Sequence, residues 1–320
     1  MSSEPIQQRN LAIARATHVL PGSIAYDNLR PVNVSQRFDG LTLLDVVCRS
    51  HPHIEHQQWL RWFAAGHLLR DGDVVLPTQR VRGGQQYTHL FPGTVEPDVN
   101  ASIEVVAEDD ALVVVNKPAP LPMHPSGRFN KNTLTSILSL VYRGEKLLPG
   151  HRLDANTTGI VLLSRRPDVA RQVQAQFESN AVHKIYLARC TGHPNEDRFV
   201  CTASIGRQTV GGGSRVIDLA NGKPAETHFR VIRRDDDGTS LVEAKPITGR
   251  TNQIRIHLWH LGLSIVGDPM YLPRHQLGAL QTRSVDDPPM LLHAHRLTLV
   301  HPLDQKQVSF EAPLPQVFGF

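Results

Sequence analysis

The tightest constraint on this chain is the polar run Gly150-His151-Arg152-Leu153-Asp154-Ala155-Asn156-Thr157-Thr158-Gly159, followed at once by Ile160-Val161-Leu162-Leu163. The apolar residues read as a buried strand. A loop so dense in polar groups is by default a surface turn. Leu153, set between Arg152 and Asp154, implies instead that the loop dips into the protein. A carboxylate carried inward must be paired to stay charged. Asp154 therefore needs a cation, and Arg152 is the first one at hand.

The length, 320 residues, accommodates one large domain and a smaller one. Hydrophobic residues at 40% and charged residues at 20% describe a folded, soluble chain rather than a disordered one. A net charge of +4, with 17 histidines able to add to it, favours a phosphate-bearing or nucleic-acid partner. Cys48, Cys190 and Cys201 are odd in number and far apart, which indicates neither a disulfide framework nor a cysteine zinc site. No apolar segment of signal-peptide or membrane-spanning type is evident, so a cytoplasmic location is expected.

Residues 1–37 show little periodicity and read as an extended arm, with Tyr26 to Val32 a stretch that could dock on a neighbouring surface. From Phe38 the pattern tightens. Thr42 caps a helix beginning at Leu43, with Asp45 completing a capping box. After Pro52 a second helix places Trp59 and Phe63 on one face and stops at Gly66. His67 to Leu76, turning at Asp71-Gly72, reads as a β-hairpin. This compact module, residues 38–95, resembles the S4 RNA-binding module in its element order and its Gly-x-Leu-Leu-x-Asp-Gly signature. Pro92 to Pro97 reads as the linker to a domain spanning 96–320.

That domain opens with a hairpin, Ile103–Ala107 and Leu112–Val115, and then a proline-rich segment, Lys117 to Gly127, that forms a rigid lip. A helix follows a Thr133 cap, and another starts at Pro167 with Val169, Val173 and Phe177 on one side. His183 to Arg189 alternates as a strand, placing Tyr186 and Lys184 on a face turned away from the main core. Further strands are expected at 199–205, 227–232 and 241–246 and near Leu291 and Leu297, and Gly211-Gly212-Gly213 reads as a flexible loop. Thr251 is expected to cap a helix with Ile254, Leu258 and Leu261 inward. Arg250 would then stand just before a helix N-terminus, where an anion is favoured. Many strands with few helices, and no βαβ repeat, give an α+β fold: a mixed, largely antiparallel central sheet with flanking helices and a cleft.

Several site types are absent from the sequence: a Walker-type phosphate loop, a dinucleotide Gly-x-Gly-x-x-Gly after a strand, His-Glu-x-x-His and Gly-x-Ser-x-Gly. His51, His53 and His56 lack the cysteines or carboxylates of a metal cage, and His257 and His260 read as partner-facing, so no metal is expected. One carboxylate remains, Asp154, with Arg152, Tyr186 and Arg250 as candidate companions.

Read in order, Lys117-Pro118 with His124-Pro125-Ser126-Gly127, the His151 to Gly159 run, Lys184-x-Tyr186, Gly249-Arg250-Thr251-Asn252-Gln253-Ile254-Arg255-x-His257 and Gly267-Asp268-x-x-Tyr271 resemble the RluA-type pseudouridine synthases. The resemblance covers about Phe38 to Val300. Thr158 replaces a usual serine and Asn252 a common histidine. It implies isomerisation of uridine to pseudouridine within RNA, with no cofactor and no metal. Asp154 would be the catalytic carboxylate, acting on the sugar carbon or on a sugar proton. Arg250 would be the cation beside it, and Tyr186 would lie against the uracil ring. Arg152 moves, in this reading, from partner of Asp154 to a side chain filling the space of the unstacked base. Substrate contacts are expected from His151, Lys117, His124, Thr158, Gln253, Arg255 and His257. The RNA is expected to be a tRNA anticodon loop, with ribosomal RNA close behind, and the chain is expected to be a monomer. The competing readings are a non-catalytic RNA-binding or assembly factor and an N-glycosidase, which would release free uracil.

Overall fold

The computed structural model describes residues 3–206 and 214–319, so the expected loop at Gly211 to Gly213 lies outside the described residues. The chain divides into two compact units, one formed by residues 22–96 and the other by 1–21 with 97–320. This division corrects the expected N-terminal arm in two places.

The first correction is helix α1 (Ser3–Ala16), which belongs to the larger unit. Ile13 is buried and Ile6 packs on the same apolar cluster. Asn10 bonds both backbone groups of Val105, accepting from its N–H at 2.7 Å and donating to its carbonyl at 3.4 Å. Helix α1 thereby covers strand β5 (Glu104–Glu108), the outer edge of a sheet that would otherwise be left unpaired. So few apolar positions on α1 gave no readable stripe.

The second correction is strand β1 (Tyr26–Asn33), part of the smaller unit. Helices α2 (Leu43–Ser50) and α3 (His56–Ala64) and strands β2 (Leu68–Arg70), β3 (Asp73–Val74) and β4 (Gln86–Thr94) complete it. Its sheet runs β1-β4-β2-β3, antiparallel throughout. Strand β4 extends through Pro92, into the segment expected to be a linker. The capping box on α2 is present as read, with Thr42 accepting from the Asp45 N–H at 3.2 Å. Trp59, Phe63, Val46 and Leu68 build the small core.

In the larger unit, β5 (Glu104–Glu108) and β6 (Leu112–Lys117) form the expected hairpin. Then come α4 (Leu134–Val141), capped by Thr133, β7 (Leu148–Pro149), β8 (Thr158–Ser164), α5 (Pro167–Glu178) and β9 (His183–Thr191). The chain continues through β10 (Arg198–Cys201), β11 (Thr227–Arg234), β12 (Thr239–Pro246), α6 (Gln253–His260), β13 (Tyr271–Leu272), β14 (Gln276–Leu277), β15 (Leu292–Val300) and β16 (Gln307–Glu311). The two strands expected near Leu291 and Leu297 are one, β15.

The ten-stranded sheet has the order β10-β11-β12-β9-β15-β8-β6-β5, with β16 beside β15 and β7 beside β8. All pairs are antiparallel except β15 with β8. The result is the α+β, largely antiparallel fold expected from the sequence. The parallel contact is short, His293 opposite Thr158 and Ala294 opposite Gly159. Only a glycine permits it: a Cβ on Gly159 would lie 2.2 Å from the Ala294 carbonyl oxygen, and φ there is +111°. The 150–159 loop enters the sheet at this point, beside β15 and one strand from β9. No helix among the described residues is long and apolar enough to cross a membrane.

Candidate active site

The loop before β8 is held from below. Leu153 is buried in the main core, as its place in the sequence implied. The Ala155 carbonyl accepts from the Leu121 N–H at 2.8 Å and from Lys117 Nζ at 3.2 Å. Lys117 is fully buried and also donates to the carbonyls of Pro118 and Leu121, at 2.9 and 3.0 Å. All three ammonium donors are therefore satisfied. Burial lowers its pKa to about 7, with the Asp154 charge acting in the opposite sense. Lys117 ties the proline-rich lip to the loop and does not line the cleft. Asn156, also buried, reaches the other way, donating to the Gln281 carbonyl at 2.8 Å and accepting from the Arg283 N–H at 3.0 Å. Between these anchors the Asp154 carboxylate is left 24% exposed.

Its cation is neither Arg152 nor Arg250. Arg255 Nη1 donates to Asp154 Oδ2 at 2.9 Å and to Asn252 Oδ1 at 3.2 Å. The other two nitrogens of that guanidinium form a bidentate pair with Asp268, Nε to Oδ2 at 2.7 Å and Nη2 to Oδ1 at 2.8 Å. Asp268 is wholly buried and accepts in addition from the N–H groups of Met270 and Tyr271. Burial opposes the charge on Arg255, but the hydrogen bonds and charges of Asp268 and Asp154 prevail and raise its pKa. One rigid fork thus fixes the carboxylate in a buried, multiply bonded frame.

The exchange of arginines reflects how fully α6 is buried. Its N-cap is Asn252, in the left-handed conformation at φ +57°, and not Thr251. Ile254 and Leu258 are buried as expected, but so are Arg255 and His257, while Leu261 is exposed. A helix buried nearly all round carries no polar stripe from which to read its inward face.

Gln253 and His257, expected to touch substrate, are instead engaged inside the protein. Gln253 Oε1 accepts from the Arg250 N–H at 2.9 Å and from Thr248 Oγ1 at 2.7 Å, and its Nε2 donates to the Glu226 carbonyl and to Thr227 Oγ1. Its side-chain capacity is full. Thr227 Oγ1 lies 2.9 Å from His257 Nδ1, and His257 Nε2 lies 3.0 Å from the Ala203 carbonyl. The carbonyl can only accept, which assigns the proton to Nε2 and makes Nδ1 the acceptor from Thr227. Burial holds His257 below the usual histidine range. This chain of bonds props up the loop that carries Arg250. Arg250 itself is half-buried, its Nε donating to the Pro224 carbonyl at 3.0 Å.

Above Asp154 opens a cavity of about 550 Å³, lined by Arg152, Asp154, Lys184, Tyr186, Arg250 and Arg255 among others. Tyr186 stands on β9 opposite Ala294 of β15, which brings it to the mouth of the 150–159 loop. It does not turn away from the core as expected, but packs its ring against two of the apolar clusters. Burial, and then the Asp154 charge, push the Tyr186 hydroxyl above its ordinary pKa, so it is an O–H donor at neutral pH. Arg152 is exposed and forms no ion pair among the described residues. A second cavity of about 460 Å³ lies on the other side of the same loop and includes the exposed His124.

Two further expectations are redirected. His151 stacks on Phe177 with ring centroids 5.1 Å apart, and its Nε2 accepts from the Leu162 N–H at 3.2 Å, so it forms cavity wall. Burial, with the Lys184 charge adding to it, lowers its pKa to about 4. Thr158 turns to His293, Oγ1 to Nδ1 at 2.8 Å, in the seam between β8 and β15. The residue that sequence reasoning missed is Asp268. Its signal was present, an acidic residue within the Gly267-Asp268-x-x-Tyr271 motif.

A sheet cleft built around one guanidinium-held carboxylate, with a protonated tyrosine beside it and basic side chains at its rim, defines an enzyme site suited to a polyanionic substrate. The profile of the RNA pseudouridylate synthase family matches residues 111–260. An RNA pseudouridine synthase of Synechocystis is 32% identical over 274 residues, covering 85% of this chain and 94% of the relative. A ribosomal large subunit pseudouridine synthase C of Vibrio cholerae is 32% identical, covering 77% and 83%. Among solved structures, human RNA pseudouridylate synthase domain containing 1 superposes with a TM-score of 0.54 at 29% identity, covering 70% of this chain and 86% of that one. The chain belongs to the RluA-type RNA pseudouridine synthases, which are isomerases.

Proposed function

We propose that this chain converts uridine to pseudouridine in the RNA of the large ribosomal subunit, with Asp154 as the catalytic carboxylate. The observation that carries the reading is the Asp154 carboxylate itself, part exposed at the base of the cavity and fixed by Arg255 at 2.9 Å. In the reaction the bond between N1 and the sugar carbon breaks, and the base turns within the cavity. C5 then bonds to the same sugar carbon; N1 gains a proton and C5 loses one. Atoms and electrons balance without a co-reactant. Attack on the sugar carbon and removal of a sugar proton both need an ionised carboxylate, and Arg255 Nη1 donates to Asp154 Oδ2 and so fixes its position. Tyr186, an O–H donor at the cavity wall, holds the ring, and the proton lost from C5 goes to solvent. Arg152, exposed at the rim, fills the stack that the target base leaves, a step costing about a few kcal/mol. The small unit, two helices packed with a four-stranded antiparallel sheet, is read here as the S4-like RNA-contacting module suggested by the sequence.

Relatives named as ribosomal large subunit synthases C and D support ribosomal RNA over the tRNA anticodon loop expected from the sequence. The test is incubation of the purified chain with unmodified large-subunit RNA and, separately, unmodified tRNA. Pseudouridine is then mapped by carbodiimide adducts and primer extension. A new stop in ribosomal RNA alone is the expected result. A stop confined to tRNA overturns the target, and released uracil with no stop overturns the reaction.

A further inference from the structure

Lys184 has no part in the chemistry described so far. It lies two residues from Tyr186 on β9, on the same face of the strand and roughly 6.5–7 Å further along it. The side chain is half-buried in the wall of the cavity that contains Asp154. Among the described residues it makes no hydrogen bond and no ion pair. An ammonium group withdrawn from water with no acceptor is costly, and burial lowers its pKa accordingly. The stack of His151 on Phe177 beside it supplies no acceptor, because His151 Nε2 is already engaged by the Leu162 N–H. Glu178, the other carboxylate lining the cavity besides Asp154, accepts from Gln174 Nε2 at 2.8 Å and not from Lys184.

The cavity is also larger than its chemistry requires. About 550 Å³ is the size of a pocket for a drug-sized molecule, enough for a whole nucleotide and not only a uracil ring. Asp154, Tyr186 and Lys184 all line this one cavity.

We propose that Lys184 binds the phosphate adjacent to the target uridine and so fixes the sugar over Asp154. This rests on uridine isomerisation at Asp154. Lysine suits the role as a compact cation with three rotatable donors on a flexible stem, able to follow a phosphate oxygen. The contact supplies the acceptor that the folded chain lacks. It is also distinct in kind from that of Arg152, because it acts on the backbone of the nucleotide that reacts.

The experiment uses synthetic RNA containing the uridine mapped for the wild-type chain, with a neutral methylphosphonate at the linkage 5′ or 3′ to it. Wild type, Lys184→Met and Lys184→Arg are compared by kcat/KM. At one of the two linkages the neutral group is expected to slow the wild type by about tenfold or more, the loss of one charge-assisted hydrogen bond. Lys184→Met should be slow on both RNAs and indifferent to the replacement, whereas Lys184→Arg should keep the wild-type sensitivity. Equal loss in wild type and Lys184→Met at both linkages, or no loss in wild type at either, overturns the proposal. If the wild type converts no uridine in the unmodified RNA, the isomerisation reading fails first, and this is visible before any variant is compared.

Discussion

Arg152 and Arg255 are both within reach of the loop that carries Asp154, yet the fold uses them in opposite ways. Arg255 is 4% exposed, and its guanidinium donates to Asp154, Asp268 and Asn252. Arg152, two residues from Asp154 in the chain, is exposed and pairs with no carboxylate among the described residues. Proximity in sequence therefore did not choose the partner. The peptide direction at Leu153, buried in the core, sends Arg152 outward. The buried Asp268, held by two backbone donors, forms a bidentate pair with Arg255 from α6. A guanidinium already satisfied by protein is a fixed element of the site, and one left without an ion pair is available to the substrate.

The contrast can be broken most severely at Arg255. Replacing it with Met leaves Asp268 buried with a charge and no cation, and is expected to cost about 3–5 kcal/mol of stability, readable in urea unfolding. Pseudouridine formation should fall with it, and Arg255→Lys should restore charge without the fork and recover only part of either. Stability unchanged in Arg255→Met would dissolve the distinction between the two arginines.

Acid should act next, and on the buried side of the same seam. His293 is fully buried, and burial lowers its pKa to about 4. The unfolded chain, with an ordinary histidine pKa near 6.5, binds the proton first. Its contribution is therefore complete above about pH 6.5 and is lost as pH falls toward 4. The effect is at most about 3 kcal/mol from this one group. Thermal midpoints measured across that window should fall less steeply in His293→Gln than in wild type.

Arg152→Met should leave stability within about 0.5 kcal/mol of wild type, as expected for a surface position. Its cost appears on RNA instead, about 5- to 100-fold in kcat/KM, the range of one stacking side chain. Arg250→Met, which removes one half-buried cation at the rim, should be milder. It should lower the slope of log affinity against log salt by about one phosphate contact, measured by filter binding in a salt series.

Those outcomes also mark where the sequence was readable. Local chemistry was: the Thr42–Asp45 box, the Thr133 cap, Pro167 at the first turn of α5 and the apolar run of β8 each follow from a few neighbouring residues. Asp154 stood out for the same reason, as one carboxylate between a buried leucine and small polar residues. What could not be read depended on distant partners. Strand β1 buries Asn28 and exposes Leu29, the reverse of a hydrophobic alternation, because its place is set by pairing with β4. Lys117, Gln253 and His257 have the residue types of a substrate site, but each is consumed by protein carbonyls, amides or hydroxyls from other segments. Helix α6 is buried from Gln253 to Leu258, so no polar stripe marked Arg255 as the residue that turns inward to Asp154 and Asp268.

The central claim is that the carboxylate of Asp154 performs the chemistry, and loss of the hydrogen on uracil C5 reports it directly. Large-subunit RNA transcribed with uridine tritiated at carbon 5 should release tritium to solvent with the wild-type chain. The Asp154→Asn variant, shown to be folded and to bind the same RNA, should release at least about 10³-fold more slowly. Release by Asp154→Asn at a rate close to wild type would contradict the account.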